Sequence, residues 1–184
     1  VTGTEANKIT KEPFVVYLSG VDNRGELTEK ARSDVNILAV VNPSTKRVAL
    51  INTPRDYYVD LAGTNSKDKL THAGIYGTGE SMRTLDNLYG THTSFYMRVN
   101  FAGLTRIVDA LGGIDVTSPV DFTTVAMEMP NENGDGGYHD ESFTFTEGVN
   151  HLNGREALAF SRERSAFAQG DVQRGRNQMA VLQA

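Results

Sequence analysis

Apolar positions in this chain follow two rhythms, and the places where the rhythm changes mark the elements. A polar, aperiodic stretch over residues 1–13 gives way to the unbroken apolar run Phe14-Val15-Val16-Tyr17-Leu18. A short apolar run bounded by turn signals predicts a buried strand. A charged loop over residues 20–30 follows, and then a second buried strand over 35–41. Asn42-Pro43-Ser44-Thr45-Lys46 is turn chemistry, because proline suits a tight turn and cannot continue a central strand. Residues 47–53 form the third strand and close a hairpin with the second. Thr53-Pro54-Arg55-Asp56 breaks the pattern at its end. Residues 57–61 read as a short strand and residues 63–69 as a polar loop.

From Leu70 the period lengthens. Residues 70–88 are weakly helical, interrupted at Gly74, Gly77 and Gly79. The helix is clearer from Ser81, where Met82, Leu85, Leu88 and Tyr89 share a face. Residues 95–99 form a strand. Asn100 is a good N-cap for the next helix, in which Leu104, Ile107, Val108 and Leu111 recur at i, i+3, i+4 and i+7 before Gly112-Gly113 ends it. Ile114-Asp115-Val116 is a short strand, and residues 119–129 alternate loosely. Residues 131–138 are a Gly/Asn/Asp loop expected to be mobile. A short strand over 143–146, a helix over 155–160, a loop over 165–170 and a final helix starting at Asp171 complete the chain. Strands interleaved with helices, joined by both hairpins and crossovers, predict the α/β class with a central mixed sheet.

Composition narrows this picture. The chain has 184 residues, enough for one sizeable domain. The expected division is a loose segment over 1–13 and a single domain over 14–184. A net charge of −5 argues against a broad basic face of the kind that grips nucleic acid. The absence of cysteine excludes disulfides and thiolate metal sites. No apolar run reaches the roughly 20 residues a membrane-spanning helix needs. The first residue is Val1, and Val181-Leu182-Gln183-Ala184 ends inside a helical pattern without a stop signal. The expectation is therefore a piece of a longer chain.

The candidate chemistry is charged and lies at element ends. Arg32 and Asp34 stand at the entrance to the second strand. If that strand begins at Arg32, alternation puts the guanidinium and the carboxylate on one face. Asp22 follows the first strand. Two carboxylates at strand ends can hold Mg²⁺, which takes its remaining ligands from water and phosphate. Taken alone, Arg32 and Asp34 read first as a surface ion pair worth roughly 0–1 kcal/mol. Arg55 leaves a buried strand at the position where α/β folds place ligands, and its planar fork suits phosphate. It is also compatible with a solvated loop. Arg162, Arg164, Asp171, Arg174 and Gln178 form the densest polar group. The spacing of Asp171, Arg174 and Gln178 puts them on one helix face, either facing a ligand or facing solvent. His72, His92, His139 and His151 lack metal-ligand spacing, and no nucleophile elbow or phosphate-cradling glycine loop occurs.

Taken together, the order of these pieces resembles the LytR-CpsA-Psr family of Gram-positive cell-envelope proteins. The segments that carry the resemblance start with Leu18-Ser19-Gly20-Val21-Asp22-Asn23-Arg24, Arg32-Ser33-Asp34-Val35-Asn36-Ile37-Leu38 and Asn52-Thr53-Pro54-Arg55-Asp56. Next come Lys69-Leu70-Thr71-His72-Ala73, Val99-Asn100-Phe101 and Val108-Asp109-Ala110-Leu111-Gly112-Gly113-Ile114-Asp115-Val116. The last are Leu152-Asn153-Gly154-Arg155-Glu156-Ala157-Leu158-Ala159-Phe160-Ser161-Arg162-Glu163-Arg164 and Gly170-Asp171-Val172-Gln173-Arg174.

The resemblance implies a three-layer α/β/α domain outside the cell, tethered by an N-terminal transmembrane helix that lies outside this sequence. It implies transfer of a glycopolymer, such as teichoic acid or capsular polysaccharide, from polyprenyl pyrophosphate onto a peptidoglycan hydroxyl, with the lipid in an apolar tunnel. Asp22 and Asp34 match the family's metal-associated aspartates, implying Mg²⁺ or Mn²⁺. Arg32, Arg55, Arg162, Arg164 and Arg174 match its pyrophosphate-binding arginines. Asp171 and Gln178 match polar residues nearby, and Lys69 falls where the family often has a basic residue. Asp34, Asp22, Arg32 and Arg55 are the expected catalytic set, with one of the two aspartates taking the acceptor's proton. No nucleic-acid partner is expected. Two alternatives stay open, a polyprenyl-pyrophosphate hydrolase and a non-catalytic lipid- or polysaccharide-binding or regulatory protein.

Overall fold

The computed structural model describes residues 10–21, 28–131, 137–168 and 170–184. It divides into two compact units, Val1–Phe101 and Ala102–Ala184. The expected loose segment, apart from residues 10–13, and most of the Gly/Asn/Asp loop lie outside the described residues, as does Asp22.

The first unit contains β1 (Phe14–Gly20), β2 (Val35–Asn42), β3 (Arg47–Thr53), β4 (Tyr58–Asp60) and β5 (Lys67–Lys69). Helix α1 (Leu70–Ala73), a 3₁₀ turn over Gly74–Tyr76, helix α2 (Thr78–Tyr89) and β6 (Thr93–Val99) follow. Four of these strands form one sheet in the order β3-β2-β1-β6. The β1/β2 and β2/β3 pairs are antiparallel and β1/β6 is parallel, so the sheet is mixed. The three apolar runs read from the sequence are therefore neighbours. The expected polar loop over 63–69 is corrected at its end, where Lys67–Lys69 pairs with Tyr58–Asp60 as a short ladder.

Alternation divides the sheet into two faces. Tyr17 opposes Leu38, and Leu38 opposes Ile51. This face packs with Leu70, Ala73 and Leu85 from the helices into one core cluster. Tyr17, Leu38, Leu70 and Leu85 are fully buried. Burying one such leucine stabilises the fold by about 1.5–3 kcal/mol. The other face carries Val16, Leu18 and Ile37, with Phe95 and Met97 opposite Val16 and Leu18 on β6. Phe95 and Met97 are 37% and 53% exposed. A sheet face turned to water ordinarily switches to polar residues, and this one does not.

The second unit begins on α3 (Phe101–Ala110) and continues through β7 (Ile114–Ser118), β8 (Phe122–Thr123), β9 (Met127–Pro130), β10 (Tyr138–Glu141), β11 (Thr144–Phe145) and β12 (Gly148–Leu152). It ends with α4 (Gly154–Arg162) and α5 (Gly170–Gln183). The strands pair β7/β12, β8/β11 and β9/β10, all antiparallel. They form one long nested hairpin, which the loose alternation over 119–129 only half announces. Phe122, Phe145 and Phe160 stack with centroids 5.1–5.6 Å apart at the centre of this unit's core. Asn153 and Glu156 close a capping box at the start of α4, satisfying the orphan N–H groups of its first turn. Among the described residues no helix is long and apolar enough to cross a membrane.

Candidate active site

In the first unit the sheet ends supply the chemistry. Gly20 ends β1, Thr53 ends β3 and Val99 ends β6, all at the edge where β2 begins. Ligands in open α/β sheets bind beyond the carboxyl ends of strands. A buried polar network holds this edge. Tyr17 directs its hydroxyl to Asn36 Oδ1 at 2.7 Å, with Ser33 Oγ at 3.1 Å. Ser33 Oγ lies 2.9 Å from Ser19 Oγ and donates to the Val35 carbonyl at 2.8 Å. Asn36 Nδ2 donates to the Ser33 carbonyl at 3.2 Å. All four side chains are 3% exposed or less. Buried polar atoms are tolerated when each has a partner, and a satisfied network fixes geometry.

Ser33 is the pivot of the site, because its neighbours are Arg32 and Asp34. The condition under which these two would share a strand face, a strand beginning at Arg32, is not met. The strand begins at Val35, so Arg32 and Asp34 lie in the approach to it and alternation does not govern them. Arg32 is exposed and Asp34 is half-buried. Asp34 forms an ion pair with Arg55. Arg55 sits on the tight turn Pro54-Arg55-Asp56-Tyr57, closed by the Tyr57 N–H donating to the Pro54 carbonyl at 3.0 Å. Asp56, which sequence reasoning left unassigned inside its turn, accepts from Lys69 Nζ at 2.8 Å and lies 3.8 Å from Arg55 Nε. That Nε is buried and has no hydrogen-bond partner among the described residues. The structure thus joins Asp34, Arg55 and Lys69 through Asp56, with Arg32 on the same segment as Asp34. Backbone bonds lock the frame, since the Asp34 N–H donates to the Gly20 carbonyl at 2.8 Å and the Thr71 N–H to the Arg55 carbonyl at 2.9 Å.

Asp68 lies beside this cluster. The Lys69 backbone N–H donates to it at 2.7 Å and His72 Nδ1 lies 2.9 Å away. These contacts hold its carboxyl below the usual range, the backbone bond acting most strongly.

The second unit gathers the other nominated residues. Asp171 bridges two arginines, with Arg174 Nη2 at 2.9 Å and Arg164 Nη1 at 3.7 Å. Arg174 is the more enclosed of the two. Arg162 ends α4 and its Nη1 reaches the Glu128 carbonyl at 3.5 Å. Gln178 is half-buried on α5. Sequence reasoning missed Glu163 between the two arginines. It is 1% exposed, and its two carboxylate oxygens accept from the Val125 N–H at 3.1 Å and the Ala166 N–H at 2.9 Å. Nothing in a run of charged residues marks its middle member as buried.

A mixed sheet joined to helices, with cationic side chains clustered at its strand ends, defines an α/β protein. The chain belongs to the LytR_cpsA_psr family, which it matches over residues 2–184. It is 36% identical over 184 residues to the polyisoprenyl-teichoic acid–peptidoglycan teichoic acid transferase TagU of Bacillus cereus, covering 99% of this chain and 55% of TagU. The chain spans about half the length of the curated relatives it matches. The crystal structure of TagV from B. subtilis superposes with a TM-score of 0.75 at 32% identity, covering 94% of this chain and 63% of TagV. The family protein YwtF (TagT), with bound octaprenyl pyrophosphate lipid, superposes with a TM-score of 0.69 at 28% identity, covering 95% of this chain and 64% of that one.

Proposed function

We propose that this chain belongs to a phosphotransferase that moves an anionic glycopolymer, of the teichoic acid or capsular polysaccharide type, from a polyprenyl pyrophosphate carrier onto peptidoglycan. The observation that carries this reading is Arg55. Its guanidinium is held at a strand end by Asp34, and its buried Nε has a donor to spare among the described residues. A guanidinium so placed offers a phosphate oxygen a charge-assisted bond. The relatives support the same substrate, since one is named for teichoic acid transfer from a polyisoprenyl carrier and another holds octaprenyl pyrophosphate. The apolar sheet face with exposed Phe95 and Met97 supports an isoprenoid tail.

In this reading the acceptor sugar oxygen forms a bond to the phosphorus that carries the polymer. The bridging P–O bond of the pyrophosphate breaks, and polyprenyl phosphate leaves with the electron pair. The acceptor's proton passes to a carboxylate, Asp34 or Asp22. Phosphoryl transfer is accelerated chiefly by positioning and by fixed charge. Arg32, Arg55 and Lys69 supply that charge in the first unit. Arg162, Arg164 and Arg174, with Asp171 and Gln178, offer a further anion-binding surface in the second.

The donor set fits Mg²⁺ or Mn²⁺ without requiring a protein cage. Mg²⁺ takes one or two carboxylates and completes its shell with water and phosphate oxygens. Asp34 would supply one such oxygen, with Asp22 as its proposed partner, and no group of three metal-binding side chains occurs among the described residues. A bound cation would add to the charge that offsets the leaving phosphate. In this reading the reaction takes place at the outer face of the cytoplasmic membrane of a Gram-positive cell, where the full-length protein is anchored.

The test is transfer of radiolabelled polymer from a synthetic lipid pyrophosphate to peptidoglycan fragments. The expected result is label on peptidoglycan, lowered about a hundredfold or more by Arg55→Ala and by Arg162→Ala. Full activity in both variants would falsify the site assignment.

A further inference from the structure

We infer that Arg98 is the positioning residue of the active site, acting through the segment that carries Arg32 and Asp34. Arg98 stands on β6 opposite Ser19 of β1, so its side chain leaves the sheet on the same face as the Tyr17–Ser33 network. Its guanidinium collects three backbone carbonyls of one approach segment. Nη1 donates to Thr28 at 2.7 Å and Glu29 at 2.6 Å, and Nη2 donates to Ala31 at 2.8 Å. Nη1 also lies 3.3 Å from Thr78 Oγ1 at the start of α2. Carbonyls gathered toward one point repel each other unless a cation sits among them, and a planar guanidinium satisfies several at once.

The opposite side of the segment is closed by backbone. The Ala31 N–H donates to the Gly74 carbonyl at 3.1 Å and the Ser33 N–H to the Thr71 carbonyl at 3.4 Å. A Cβ on Gly74 would lie 2.3 Å from the Ala31 carbonyl oxygen, so only glycine permits this approach. Residues 28–31 are thus clamped between a guanidinium and a helix start, and Ser33 is pinned inward two residues later. Arg32 lies between the two anchors, and Asp34 lies just beyond the second. A half-buried cation that touches neither nominated side chain directly, yet fixes the backbone of both, sets where they point.

This inference rests on the proposed pyrophosphate site, and its test separates the two. Calorimetry with geranylgeranyl pyrophosphate measures binding to the wild type, Arg98→Met, Arg98→Lys, Arg32→Ala and the Arg32→Ala/Arg98→Met double variant. Hydrogen exchange reports the Ala31 and Ser33 amides. Arg98→Met is expected to weaken binding about tenfold in the wild-type background and less than threefold once Arg32 is already alanine, a non-additivity typical of coupled sites. Arg98→Lys, a point charge without the fork, recovers part of the loss. Exchange at Ala31 and Ser33 quickens by about tenfold or more, while the Leu38 amide in the core is unchanged. Binding that Arg98→Met leaves intact, an equal loss in both backgrounds, or unchanged exchange at Ala31 and Ser33 overturns the inference alone. Failure of the wild type to bind overturns the functional reading and the inference with it.

Discussion

Replacing Tyr17 by phenylalanine tests the link between the core of the first unit and its strand-end chemistry. The ring stays in a fully buried slot, so no cavity opens and the packing against Leu38 is kept. What is lost is one hydroxyl. Asn36 Oδ1 then loses its donor at 2.7 Å inside the protein. The second contact, to Ser33 Oγ at 3.1 Å, adds no equal penalty, because Ser19 Oγ stands 2.9 Å away to take it over. One buried acceptor left unsatisfied costs about 1–3 kcal/mol. Urea unfolding followed by far-ultraviolet circular dichroism should show a drop of that size with the denaturant slope unchanged. Tyr96→Phe is the control, on a side chain 51% exposed, and should stay within about 0.5 kcal/mol of the parent. If Tyr17→Phe behaves like Tyr96→Phe, the network does not hold the edge, and the account of why Ser33 turns inward is wrong.

Other expectations follow from single contacts. Phe160→Ala removes the ring that stacks on Phe122 and Phe145, and should cost about 3–5 kcal/mol in the same unfolding assay. At Gly154 an added Cβ would meet the Thr105 carbonyl oxygen at 2.3 Å, so Gly154→Ala should destabilise by about 1–3 kcal/mol. Gly79→Ala, with only Arg83 Nη1 at 3.8 Å and a helical position, should instead stabilise by roughly 0.4–1 kcal/mol. His151 donates toward Asp115 Oδ1 at 2.7 Å and the Gly112 carbonyl at 3.1 Å, which raises its pKa, Asp115 contributing most. A raised folded pKa means that this stabilisation is present below the ordinary imidazole pKa and is lost as pH rises through the folded value. A proton NMR titration should find His151 titrating above the usual histidine range, and Asp115→Asn should return it toward that range.

Much of the first unit was legible because its signals are local. Three apolar runs bounded by Gly, Pro and Asn become three adjacent strands, and Arg47–Thr53 matches the expected strand end to end. The final helix starts within a residue of the expected Asp171. The second unit was less legible. Its nested hairpin pairs Ile114–Ser118, half expected as a short strand, with Gly148–Leu152, some thirty residues away and not read as a strand at all. Strand pairing of that kind is decided by the tertiary setting rather than by propensity. The nominated site residues that mark element ends, Arg55 and Asp171 among them, fall where charge patterning suggested. The errors came where a side chain acts on distant backbone. The strand starts at Val35 rather than Arg32, and Asp34 pairs with Arg55, a contact no local spacing announces. Arg98 reads as a lone basic residue in a strand, and the three carbonyls it holds are about seventy positions away in the chain.

The central claim is that the Arg55 cluster receives the pyrophosphate of a polyprenyl carrier. A crystal structure of the protein with geranylgeranyl pyrophosphate tests it most directly. The expected structure has a phosphate oxygen within hydrogen-bond distance of Arg55 Nε, and the isoprenoid along the sheet face of Val16, Leu18, Phe95 and Met97. Pyrophosphate bound elsewhere, with Arg55 still engaged only with Asp34, would contradict it.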